Sequence, residues 1–176
     1  LDAVKSVAPY VQTGPSSFEV PYTVVVKNTG AVAATNVQAV DSLSATYSAG
    51  SPTLRIKAGS YSVTGVAACT APVTAYDGTT NIALLSGSAN LAAGEQCTIS
   101  FTAVVSYASV AAIPSGAQNN SVYASTATGA NSGGSVNPAT GVFTPPAGVV
   151  AQDASTSGSI PPALPNGDTP AATPVT

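Results

Sequence analysis

The stretch Phe18-Glu-Val-Pro-Tyr-Thr-Val-Val-Val-Lys27 decides the fold class. Phe18, Val20, Tyr22, Val24 and Val26 recur at every second position, and Glu19, Thr23 and Lys27 fill alternate ones, with Val25 as the exception. A period of two sets one apolar row on one face of a pleated strand. Pro21 has no amide hydrogen, which predicts an edge or a bulge at that point. Asn28-Thr29-Gly30 then supplies a turn.

The same alternation returns at 96–107, where Cys97, Ile99, Phe101 and Ala103 alternate with Thr98, Ser100 and Thr102. Ala92-Ala93-Gly94-Glu95 is the turn that leads into it. Further strands are expected at 3–11, 36–40, 53–57, 61–66, 72–76, 82–85 and 119–128, with a short one at 141–150. Asp77-Gly78 marks a tight turn. Val, Thr, Ser, Gly and Pro are abundant, whereas the strong helix formers are scarce. β-branched side chains suit a half-buried pleated surface, so the pattern is that of an all-β sandwich or barrel. Residues 129–137 are a Gly/Ser/Asn loop or hairpin tip. Beyond Asp153 the composition shifts, and Pro161, Pro162, Pro165, Pro170 and Pro174 favour an extended path. The domain organisation is a β-sandwich over 1–156 and a Pro-rich linker or inter-subunit arm over 157–176.

Charged residues make up 6% of the 176 positions, against about 25% in ordinary soluble domains. The surface is therefore built from hydroxyls, amides and backbone. Four Lys and Arg residues and a net charge of −3 cannot neutralise a run of phosphates, which excludes nucleic acid as a partner. Weak self-repulsion suits a chain that packs against copies of itself. No apolar run reaches the length of a membrane span. Leu1 opens the chain without Met, a basic segment or an apolar segment, which reads as a processed chain or an excised piece. Cys69 and Cys97 suggest one disulfide formed in an oxidising compartment, with two buried thiols as the other reading.

Four stretches carry a family resemblance. They are Val20-Pro-Tyr-Thr-Val-Val-Val-Lys-Asn-Thr-Gly30 with Ala34-Thr-Asn-Val-Gln-Ala-Val-Asp-Ser-Leu43, then Leu91-Ala-Ala-Gly-Glu-Gln-Cys-Thr-Ile-Ser-Phe101, then Asn119-Asn-Ser-Val-Tyr-Ala-Ser125. Together they resemble a bacterial cell-surface repeat domain of unknown function that occurs in tandem in large surface proteins. Asp153-Ala-Ser-Thr-Ser-Gly158 and Asp168-Thr-Pro170 are similar to the segments that join such repeats. The resemblance implies an immunoglobulin-like antiparallel β-sandwich, an extracellular cell-surface location, and a role in spacing, display or cohesion. It carries no catalytic residues.

The chemistry of the sequence is mostly exclusion. Without His, Ser-His-Asp and Cys-His arrangements cannot form. Seven carboxylates lie scattered, and no phosphate loop or dinucleotide fingerprint occurs. The chain is expected not to be an enzyme. Asp41, Asp77, Asp153 and Asp168 are weak candidates for calcium, or else they cap turns through their own carboxylates. An amide between Lys5 or Lys27 and an Asn beside a buried acid is chemically open to a sandwich, but nothing in the sequence singles out such a triad. Two functions follow. One is a structural repeat or pilus-like filament subunit that joins its neighbours head to tail, by a strand donated from Ala3, Val4, Val7 and Val11 or from the segment carrying Val149 and Val150. The other is a monomeric adhesin or glycan-binding module using its loops, with a host or matrix surface as partner.

Overall fold

The computed structural model describes residues 1–157 and 173–175. In chain order the elements are β1 (Asp2–Val7), β2 (Val11–Gly14), β3 (Ser17–Lys27), β4 (Ala34–Asp41), a one-turn helix α1 (Leu43–Thr46), β5 (Thr53–Ile56) and β6 (Ser62–Gly65). After them come β7 (Ala89–Leu91), β8 (Gln96–Ser106), a 3-10 turn at Val110–Ala112, β9 (Gln118–Asn120) and β10 (Val122–Ala127). The chain closes with β11 (Ser135–Val136), β12 (Phe143–Thr144), β13 (Val149–Ala154), β14 (Thr156–Ser157) and β15 (Thr173–Val175).

The result is an all-β sandwich. The larger sheet runs β14-β1-β3-β8-β5, with β2 also on β3 and β6 also on β8; the smaller runs β13-β10-β4-β7. Two short pairs, β11–β12 and β15–β9, complete the ladders. Among the described residues every strand pairing is antiparallel except β1 with β14, which is parallel, with Val4 opposite Thr156 and Lys5 opposite Ser157.

The period-two rows become the core. Tyr22 stands opposite Phe101, Val24 opposite Ile99 and Val26 opposite Cys97 across β3 and β8, and all six are buried. On the other side of β3, Ala3, Lys5 and Val7 stand opposite Val26, Val24 and Tyr22. The smaller sheet closes over them with Val37, Ala39, Leu91, Val122 and Ala124, all buried. Burying an aliphatic side chain of this size is worth about 1.5–3 kcal/mol each, and that is what holds the two sheets face to face.

Several expectations are corrected. β3 is a central strand, not an edge. Pro21 fits because its neighbour is interrupted: β1 ends opposite Tyr22 and β2 begins opposite Glu19. The Pro21 carbonyl accepts from the Ala8 amide in that gap, so its missing amide hydrogen faces no ladder partner. The expected strand at 3–11 is for the same reason two strands, broken at Pro9. Segments 72–76 and 82–85 are loops: the first is held by the Asn81 carboxamide, which donates to the Thr74 and Ala75 carbonyls, and the second by an isolated bridge between Val40 and Ala83. The loop at 129–137 is anchored, because Asn131 inside it is buried. Of the arm read at 157–176, residues 158–172 and 176 lie outside the described residues; 173–175 pair with β9.

Candidate functional site

The sandwich interior contains charge. Lys5 shares the inward phase of β1 with Ala3 and Val7, and its Nζ donates to Asp41 Oδ2 at the end of β4. Both side chains are fully buried. The ammonium lies over the ring of Tyr22, 4.2 Å from its centroid, and 5.6 Å from that of Phe101. Tyr22 and Phe101 pack at 5.4 Å, and Tyr76 adds a third ring 4.9 Å from Phe101. The Tyr22 hydroxyl is held by that of Tyr47 at 2.7 Å. Removing an ion pair from water is costly, and the mutual attraction of the pair offsets only part of it.

Protonation states follow from that cost. Burial lowers the Lys5 ammonium to about 8, against the opposing pull of the Asp41 charge. Burial raises the Asp41 carboxyl, against the stabilising Lys5 ammonium. Both shifts move the pair towards neutral amine and neutral acid. Burial also pushes the Tyr22 and Tyr76 hydroxyls well up, so both stay protonated.

Asn120, the last residue of β9, completes the cluster. It is 1% exposed. Its carboxamide lies near enough to the Asp41 carboxyl and the Tyr22 hydroxyl to favour their charged forms. Yet neither its Nδ2 nor its Oδ1 makes a hydrogen bond of normal geometry among the described residues, and Asp41 Oδ1 makes none either. The other buried carboxamides behave differently. Asn28 donates to the Val32 and Leu91 carbonyls at 2.8 and 2.9 Å. Gln38 donates to the Leu85 carbonyl and accepts from the Leu85 amide at 2.6 and 2.7 Å. Asn131 donates to the Asn36 and Ser125 carbonyls at 2.7 and 3.0 Å.

The residues proposed from sequence are dispersed. Cys69 and Cys97 form the disulfide, with Cα atoms 5.5 Å apart. Among the calcium candidates, Asp41 is engaged by Lys5. Asp77 Oδ1 accepts from the amides of Thr79, Thr80 and Asn81 at 2.7–2.9 Å. Asp153 accepts from the Ala3 amide at 2.6 Å. Asp168 lies outside the described residues. Among those residues no three His, Cys, Asp or Glu side chains gather as a cation site would require. Of the proposed assembly residues, Ala3 and Val4 are buried and Val7 half-buried in β1, while Val11, Val149 and Val150 are exposed. No helix among the described residues is long and apolar enough to cross a membrane.

No protein-family model, curated protein or solved structure matches this chain. The cluster must therefore be read from its own chemistry. In the sequence alone Lys5 is one of two lysines open to an amide with an Asn, Asp41 is a weak calcium candidate or else a turn cap, and Asn120 is part of an Asn-rich strand. The signal that would have found the cluster was a lysine on the apolar phase of a strand, at Ala3-x-Lys5-x-Val7.

Proposed function

We propose that this chain is a structural domain of an extracellular bacterial surface protein or filament, joined end to end with its neighbours. The observation that carries the reading is the parallel pairing of β1 with β14. Because the two strands run the same way, the chain comes in at one end of the sandwich and heads out at the other. Tension between neighbours then draws β1 along its own axis and loads its hydrogen bonds to β3 and β14 together rather than one at a time. The last described strand points the same way. Val175 lies opposite Gln118, and Gln118 lines an apolar cleft of about 130 Å³ with Tyr10, Phe18 and Tyr107, a fitting seat for the next unit.

The disulfide and the charge-poor surface support an oxidising, extracellular setting and close packing with like domains. β1 carries the buried Lys5 and is enclosed by its own β3 and β14, which favours the segment carrying Val149 and Val150 as the donor: it lies in β13, an edge strand on which both valines are exposed.

Electron microscopy of native material at physiological salt tests this, alongside size-exclusion chromatography. Strings or fibres with an axial repeat of one domain length are expected. Isolated monomers that bind a glycan array, and lose that binding when 129–137 is replaced, would overturn the reading in favour of an adhesin module.

A further inference from the structure

We infer that Lys5 and Asn120 become joined by an intramolecular isopeptide bond, formed by the chain itself with Asp41 as the proton carrier. The inference is independent of the end-to-end reading above, since it rests on the buried cluster alone.

Three groups are needed for such a bond, and here Asp41 adjoins both of the other two. The nucleophile is an amine placed on the inward phase of β1. The electrophile is the carboxamide carbon of Asn120. The acid–base group is Asp41, whose Oδ2 touches the amine and whose carboxyl neighbours the amide. Tyr22, Phe101 and Tyr76 wall the cluster, and all are at most 5% exposed. A dry apolar wall favours neutral amine over ammonium, and a neutral amine has the lone pair that attack requires. The fixed placement of the partners replaces the encounter that a reaction in solution would need.

The step balances without any further reactant. The Lys5 Nζ lone pair adds to Asn120 Cγ, forming the Nζ–Cγ bond. Protonated Asp41 hydrogen-bonds the developing oxyanion on Oδ1. Its bare oxygen then takes a proton from Nζ while its protonated oxygen gives a proton to Nδ2, so the acid stays singly protonated. The Cγ–Nδ2 bond then breaks and ammonia leaves. Amine and primary amide have become a secondary amide and ammonia, and Asp41 ends as it began.

Asn120 is singled out by its hydrogen bonding. Three other buried carboxamides are engaged by backbone groups, whereas Asn120 leaves both polar atoms without a partner among the described residues. A buried polar group left without a hydrogen bond destabilises the fold. Reaction removes the Nδ2 group and the buried ammonium together. The product ties β1 of the larger sheet to the strand that leads into β10 of the smaller, and encloses residues 6–119, the disulfide included.

Mass spectrometry of the reduced full chain decides the matter. The expected mass is that of the sequence less one ammonia. Trypsin should leave Lys5 uncut and yield residues 1–27 covalently linked to 58–176, with the link mapped to Lys5 and Asn120. The Asn120→Ala and Lys5→Arg variants should each carry their full sequence mass, and Asp41→Ala should show most of the chain unreacted. A wild-type chain at full sequence mass overturns the inference, whether or not the variants fold. So does loss of water with a Lys5–Asp41 link, or loss of ammonia with residues 1–27 released free, as a backbone succinimide at another Asn would give.

Discussion

At the scale of single residues, the carboxylates divide by what faces them. Asp77 was a candidate for cation binding, but its Oδ1 is surrounded by donors: three backbone amides and the Thr79 hydroxyl at 3.0 Å. Slight burial opposes ionisation there and is outweighed by those donors, so the carboxyl is held below its ordinary value of 3.8. A carboxylate depressed in the folded state contributes stability above the unfolded value and loses it as pH falls through the folded one. Asp77→Ala should therefore cost about 1–2 kcal/mol at neutral pH, the magnitude of a lost set of charge-assisted turn bonds. The difference from wild type should shrink as pH drops below about 4. Urea titrations at neutral pH and at pH near 3 measure both. An equal cost at the two values would mean that the carboxylate's charge contributes nothing to the turn.

At the scale of elements, the long strands were legible and the short ones were not. β3 and β8, each of eleven residues, keep a period of two over most of their length, interrupted at Val25 and Val104, and the apolar phase cannot be satisfied except by a core. β7 has three residues and too little sequence to show any period. Segment 82–85 looked like a strand because Leu84 and Leu85 are apolar. They are buried, and the β4 backbone bonds the Ile82 carbonyl and the Leu84 amide, but at Leu85 the Gln38 side chain takes the place of a partner strand by bonding both the amide and the carbonyl. A side chain imitating a backbone leaves no periodic trace. The Lys5 cluster was half legible in the same sense: the misplaced lysine could be read from β1, but its meeting with Asp41 and Asn120 depends on sheet order.

The disulfide acts at this scale too. Gly65 in β6 stands opposite Cys97 at φ +128°, where a Cβ would lie 2.4 Å from the Gln96 carbonyl and 3.1 Å from Cys69 Sγ. Only glycine lets the loop pass that close to the sulfurs. Cys69 and Cys97 are 28 positions apart, and opening a loop of that length should cost about 3–4 kcal/mol. Replacing both with Ser should lower Tm by roughly 6–16 °C, at the 2–4 °C per kcal/mol usual for this chain length. Calorimetry reads the shift; a Tm within a degree or two of wild type would mean that the bond does little to restrain the unfolded chain.

At the scale of the whole molecule, the two internal bonds are nested, and nesting has a mechanical signature. The Cys69–Cys97 loop lies inside the segment 6–119 that a Lys5–Asn120 bond would close. A chain pulled from its two ends transmits force from β1 through that bond to the strand before β10, and residues 6–119 never enter the path. Single-molecule pulling on tandem copies should show extensions short by the length of that segment, at about 3.3–3.6 Å per residue. Reductant should change nothing, because the disulfide loop is already hidden. The Asn120→Ala variant should release the missing length except for the disulfide loop, and reductant should then release that as well. A wild-type extension that grows on reduction would place the disulfide in the force path and exclude the amide. The end-to-end reading is examined separately, by the force of the variant. Without the amide, β1 is still drawn in shear against β3 and β14, so pulling through the termini should unfold the domain at higher force than pulling across the sheet edge at β13. Equal forces in the two directions would remove the mechanical support for tandem assembly and leave the amide untouched.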